Sequence, residues 1–310
     1  MKRDDIHIIS RHSNASEHTI QKALNDHVYS DQTDWKKFFN LFIISVGVGF
    51  TVAGIIFFFA YNWADMHKFV KIGLTQGILI ITTSMLFLLK LDEKIKNIIL
   101  TGASVLVGVL FAVFGQIYQT GANAYDFFLG WTIFVTLWAI VSDFAPLWLI
   151  YFILMNTTLH LYTEQVAKNW SITFVYTLHF IVNMIPVLFV VFSKNKAPNW
   201  FLYTMILASV TYATLGISIG VFEKFEFAFL LLIIITGISY VFGYKHGLKT
   251  KNGFYLSVIP FSLIVIVSAV FVDISNNELM FLFISMFIIV SVTLTILNLI
   301  NYQKKWNHEE

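Results

Sequence analysis

Apolar residues run in blocks of about 20 along most of this chain, separated by short clusters of charged or turn-forming residues, and that is the length an α-helix needs to cross about 30 Å of hydrocarbon. The blocks predict ten membrane-spanning helices, starting near residues 38, 69, 97, 126, 145, 170, 200, 225, 253 and 278. One division is an interruption rather than a loop. Between Ser142 and Pro146 a single apolar run is broken by Asp143 and Pro146. A charge and a proline that cannot continue a helix predict two spans joined by a tight turn. Ahead of the first block, Asn14 and Glu17 have the spacing of a capping box, and Ile20, Ala23, Leu24 and Val28 fall on one helical face. They predict a short amphipathic helix in the tail. The expected fold class is therefore all-α: a polytopic integral membrane helical bundle of about ten transmembrane helices with a short N-terminal amphipathic helix. It divides into a tail over residues 1–37, a bundle of ten spans over 38–300 and a second tail over 301–310. Every connection is short, which leaves no soluble second domain.

Composition strengthens the membrane assignment. The 310 residues are 57% hydrophobic and only 12% charged, with a mean hydropathy of +0.75, whereas soluble domains are about 25% charged. A soluble enzyme is excluded. The net charge of +2 is too small to imply a nucleic-acid partner. Cysteine is absent, which removes disulfides, thiolate nucleophiles, Cys-ligated zinc and iron–sulfur clusters together. Residues 1–37 hold six acids and no A-x-A-like cleavage site, so the first helix reads as retained rather than as a signal peptide.

Charge encodes topology. On alternating sides of the ten blocks, all of the 20 Lys and Arg fall on one side except Lys68, Lys71, Lys168 and Lys224. The sparse side carries Asp65, Asp126, Glu164, Glu223, Glu226, Asp273 and Glu278. Cytoplasmic loops are enriched in Lys and Arg, so both termini are expected in the cytoplasm. Trp35, Trp63, Trp170, Trp200 and Trp306 fall at span ends, where an amphipathic indole suits the headgroup level. His7, His12, His18 and His27 cluster in the tail, but no pair has i, i+4 spacing on the expected helix, so they read as solvated side chains rather than metal ligands.

Ionisable side chains inside hydrocarbon are costly and mark function, and no Asp, Glu, Lys or Arg lies near mid-span. That weakens proton-pump, ion-coupled and intramembrane-hydrolase readings. No HExxH, GxSxG or Walker A sequence occurs, so no catalytic residue, metal or cofactor is expected and the chain does not read as an enzyme. Two histidines and a few amides remain. His179 and Asn183 are i, i+4 in the sixth span, where Pro186 frees the Val182 carbonyl; Asn156 and His160 are i, i+4 in the fifth. Counted from the loop near residue 166, His179 and Asn156 differ in depth by about two residues, or about 3 Å. Asn156, His179 and Asn183 thus form a candidate intramembrane polar seam, either lining a cavity or simply bonding two packed helices.

The third span carries Ser104, Gly108 and Ala112 at four-residue spacing, a small-residue stripe that Gln116 continues and that lets another helix approach. It ends in Gly115-Gln116-Ile117-Tyr118-Gln119-Thr120-Gly121, a Gly-flanked run of amide, phenol and hydroxyl groups that reads either as a ligand-binding helix break or as an interfacial cap and turn. Gly216 and Gly220 form a GxxxG in the seventh span that reads as packing. By the predicted topology Asn62, Trp63, Asp65, Gln116, Tyr118, Gln119, Asp126, Trp131, His160 and Glu164 all reach the extracytoplasmic side. They form a candidate ligand pocket.

The cytoplasmic tail, the Gly-rich first span ending in Ala60-Tyr61-Asn62-Trp63, and the run GQIYQTGANAYDFFLGWTIFVTLWAI from Gly115 to Ile140 resemble the bacterial membrane proteins grouped as domain-of-unknown-function family 2157. The resemblance covers roughly residues 14–165, with Asn62, Trp63, Gly115, Gln116, Tyr118, Gly121 and Trp131 matching its pattern. It implies a polytopic protein of the bacterial inner membrane with no established activity. Two functions stay open: a carrier or channel for a small polar or lipid-like solute, or a non-transporting scaffold, sensor or envelope-assembly factor. The expected partners are the bilayer, a small-molecule or lipid ligand, and a cytoplasmic partner of the N-terminal tail.

Overall fold

The computed structural model describes residues 3–13, 15–62, 64–118, 121, 123–193, 197–274 and 278–309. Within them the chain forms twelve helices. Two short ones occupy the tail, α1 (Arg3–His12) and α2 (Glu17–His27), and ten of span length follow: α3 (Gln32–Tyr61), α4 (Lys68–Leu88), α5 (Glu93–Tyr118), α6 (Ala124–Ser142), α7 (Ala145–Gln165), α8 (Ile172–Ser193), α9 (Asn199–Gly220), α10 (Phe227–Lys249), α11 (Gly253–Ile274) and α12 (Glu278–Glu309). Among the described residues nine of these are long and apolar enough to cross a membrane; α7 has the length but falls short in hydropathy. Its second half explains why, holding Asn156, Thr157, Thr158, His160, Thr163, Glu164 and Gln165.

The helix starts differ from the expected ones for local reasons. An Asp31–Asp34 capping box, in which the Asp34 amide donates to Asp31 Oδ1 at 2.7 Å, begins α3 at Gln32, ahead of its apolar run. At the other end α12 continues through the polar tail to Glu309 without a break at residue 300. Asp143 closes α6 in the left-handed region (φ 45°, ψ 39°), and Pro146 stands in the first turn of α7, so the long apolar run is two helices. In the tail α2 is capped by Ser16, whose hydroxyl accepts from the Thr19 amide; the expected cap, Asn14, lies outside the described residues. The helix α1 was not anticipated. It forms by packing on α2, with Ile6 and Leu24 buried.

The chain divides into two compact units, Met1–Tyr118 and Gln119–Glu310, and the division falls inside the Gly115–Gly121 run, with Gly121 at φ +66°. In the first unit α5 packs on both α3 and α4. Its small residues make that possible. A Cβ built on Gly102 would stand 2.5 Å from Val48 Cγ1, and Ala103, Ser104 and Gly108 are buried beside it. The expected stripe is used over half its length only, since Ala112 and Gln116 are exposed.

In the second unit α8 and α9 form the centre, flanked by α7, α10 and α11. Phe180, Ala213, Ile217 and Leu232 make one core cluster, and Ile206, Val210, Tyr240 and Ile259 another. The GxxxG of α9 acts in packing: a Cβ on Gly216 would lie 2.6 Å from Tyr176 Cβ, and one on Gly220 2.5 Å from Phe229 Cδ2. Along its whole length α7 runs antiparallel to α6. Gln165 Oε1 accepts from the Tyr125 amide at one end, Thr132 and Thr158 hydroxyls meet at 3.1 Å midway, and Thr136 and Tyr151 hydroxyls meet at 3.5 Å towards the other.

Candidate functional site

The polar groups of α7 and α8 meet in the interior of the second unit. Asn156 and Asn183 bond reciprocally: Asn156 Nδ2 donates to Asn183 Oδ1 at 3.1 Å and Asn183 Nδ2 donates to Asn156 Oδ1 at 2.8 Å. Each amide spends its remaining proton on its own helix, Asn156 on the Phe152 carbonyl and Asn183 on the His179 carbonyl, at 2.7 and 2.8 Å. Of the two ends of a side-chain amide only the nitrogen can donate to a carbonyl, so these backbone bonds fix which way both amides face. The atom facing His179 Nδ1 at 2.8 Å is therefore the Asn156 oxygen. The neutral imidazole must carry its proton on Nδ1, which leaves Nε2 as its acceptor nitrogen. His179 and Asn183 are 3% and 1% exposed, and the imidazole stacks on Tyr212 of α9 with centroids 4.5 Å apart and planes 12° apart.

A polar stripe leads outward from this cluster. Asn156, His160 and Glu164 succeed one another every fourth residue on α7, and His160 Nε2 lies 3.4 Å from Glu164 Oε1 with both side chains more than half exposed. On α7 the seam residue Asn156 thus shares one helical stripe with the pocket candidates His160 and Glu164. Around its outer end the rings of Tyr125 and Tyr162 meet at 5.3 Å, Tyr162 and Trp170 at 5.6 Å, and Trp170 and Phe174 at 5.1 Å.

The other pocket candidates are placed as follows. In the first unit Asn62 caps α3 and donates to the Phe58 carbonyl at 2.9 Å, while Asp65, Gln116 and Tyr118 are exposed, Tyr118 with its ring 5.0 Å from that of Phe114. In the second unit Asp126 accepts from the Asn123 amide in the α6 capping box, and Trp131 packs its ring 5.8 Å from Phe128. Trp63 and Gln119 lie outside the described residues. Asn62 and Asp126 spend polar groups on local caps.

Five residues of these contacts are not among those to which the sequence points. Tyr212 belongs to a span in which the sequence marks only the GxxxG pair; Gln165 reads as a loop residue; Thr214, Tyr240 and Ser262 join three helices through their hydroxyls. The proton order of that last group follows from Thr214, which gives its proton to the Val210 carbonyl and so accepts from Ser262, which in turn accepts from Tyr240. Among the described residues no group of three or more His, Cys, Asp or Glu has the arrangement of a metal site.

No curated protein and no solved structure matches the chain. A family match covers residues 15–148, from the cap of α2 to the first turn of α7, and leaves Asn156, His160, Glu164, His179 and Asn183 beyond its end. The chain is a multi-pass helical membrane protein, and over residues 15–148 it matches the family described as predicted membrane protein (DUF2157).

Proposed function

We propose that the protein is a carrier or channel that handles a small polar or lipid-like solute from the extracytoplasmic side, with both termini in the cytoplasm of a bacterial inner membrane. The observation that carries this reading is the stripe Asn156–His160–Glu164, which makes α7 too polar to read as an ordinary lipid-facing span and joins an amide–imidazole cluster in the interior to an exposed His–Glu contact. A polar stripe inside a helical membrane protein marks a solute or ion path, because a span gains nothing by exposing such groups to lipid. The aromatic rings at its outer end suit an amphipathic solute. The orientation rests on the Lys and Arg distribution.

A second reading, a sensor or scaffold that transports nothing, draws on two observations. The Asn156–Asn183 pair is closed, with all four amide protons satisfied inside the protein. The tail forms a packed pair of helices that leaves Ile8 and Ile9 exposed, a surface for a cytoplasmic partner.

The natural absence of cysteine supplies the test. Single Cys residues at Gln116, Asn156, His160 and His179 are labelled in intact cells and in inverted vesicles with a membrane-impermeant thiol reagent. The carrier or channel reading expects label at 160 and 156 from outside and at 179 from both sides. Label at 160 alone, with 156 and 179 inert in both preparations, sinks it in favour of the second reading.

A further inference from the structure

Inside the second unit α9, α10 and α11 pack pairwise, and their hydroxyls form a chain with a single direction. Tyr240 donates to Ser262, Ser262 to Thr214, and Thr214 to the Val210 carbonyl. The chain therefore has an end but no beginning. Every proton in it is spent, while the buried oxygen of Tyr240 accepts none from the described residues and keeps its lone pairs.

Thr236 has the complementary defect. It stands one turn before Tyr240 on α10 and is 2% exposed, yet its hydroxyl has no hydrogen-bond partner. A helical threonine or serine can reach the carbonyl four residues back. Thr177, Ser209 and Thr214 all donate there, whereas Thr236 leaves the Leu232 carbonyl unused. A buried donor so left is costly. The packing brings this spare proton close to the spare lone pairs. Helices α9 and α10 run antiparallel, with Gly216 against Leu232 and Val210 in one cluster with Tyr240, so Thr214 and Thr236 stand at one level between those contacts. A long helical side chain leans back over the preceding turn, which carries the Tyr240 phenol towards Thr236. The two hydroxyls do not bond directly. Whatever joins them must take a proton from Thr236 and give one to Tyr240. A metal cation cannot do the first and an anion cannot do the second. With Ala213, Leu232 and Ile259 buried on the same three helices, water is the occupant small enough.

We propose that a water molecule is bound between Thr236 and Tyr240, accepting the threonine proton and donating to the phenol oxygen. One proton-ordered chain then runs Thr236–water–Tyr240–Ser262–Thr214 and ends on the Val210 carbonyl. The test uses the full chain in lipid bilayers with carbon-labelled threonine, and reads transfer of magnetisation from water by solid-state NMR. Thr236, assigned by the loss of its signal in Thr236→Val, should gain water magnetisation faster than Thr177, which is 1% exposed and bonded to its own helix. Tyr240→Phe should remove that advantage. Thr236→Val keeps the shape and loses the hydroxyl, so it should lower the thermal midpoint by about 2–4 °C, and Thr236→Ser should recover part of the loss. The proposal is overturned if Thr236 builds up no faster than Thr177, if Tyr240→Phe leaves the build-up unchanged, or if Thr236→Val raises the midpoint, as removal of an unhydrated hydroxyl would.

Discussion

Asn156 and Asn183, on neighbouring helices and 27 residues apart, exchange two amide hydrogen bonds while each holds a backbone carbonyl of its own helix with its other proton. Removing one partner leaves the other buried and unsatisfied, whereas removing both leaves two apolar surfaces. Asn183→Leu should therefore destabilise the protein by about 1–3 kcal/mol, and adding Asn156→Leu should restore part of it. The double-mutant cycle, read from unfolding midpoints in mixed micelles, should give a coupling of about 0.6–2 kcal/mol. Additive effects would mean that the pair does not bond.

The same geometry fixes a tautomer. Because the Asn156 oxygen faces Nδ1 of His179, nitrogen NMR of the selectively labelled imidazole should show a protonated Nδ1 and a bare Nε2 in the neutral ring. Asn156→Leu should remove that preference. A protonated Nε2 in the unaltered protein would contradict the amide orientation.

Glycines of equal count differ in cost by their neighbours. Gly216→Ala forces a Cβ to within 2.6 Å of Tyr176 Cβ and 2.7 Å of Leu232 Cδ2, whereas Gly237→Ala meets open space on the exposed side of α10. The first should lower stability by about 1–3 kcal/mol and the second should leave it unchanged or raise it by about 0.5–1 kcal/mol. Thermal denaturation of the two variants in one detergent decides it.

Asp143 closes α6 at φ 45°, a conformation that costs an L-residue about 1–2 kcal/mol and glycine almost nothing. Asp143→Gly should keep or slightly raise the unfolding midpoint; Asp143→Val, branched at Cβ, should lower it. Equal midpoints for the two would mean that residue 143 does not adopt the left-handed conformation.

Length and apolarity decided most of the architecture, because a backbone in hydrocarbon must satisfy its own hydrogen bonds and only a helix does so within one segment. The ten span-length helices, the break at Asp143–Pro146 and the helix end in the Gly115–Gly121 run all follow from local chemistry. The facing of Asn156 and His179 was legible too, since loop length and helical rise set their depths. Depth is not direction, however. That Asn183 joins the pair, that Tyr212 stacks on the imidazole, and that the stripe on α7 runs through to Glu164 depend on helix rotation, which packing across α7, α8 and α9 fixes. The first tail helix was hidden for a related reason: ten polar-rich residues form a helix only where burial of Ile6 against α2 stabilises it. The sequence by itself determined which segments are helical spans, through the free energy of placing each in hydrocarbon. Only the tertiary structure decided which polar faces meet and which glycines seat a neighbouring helix, because those depend on contacts between segments that no local pattern encodes.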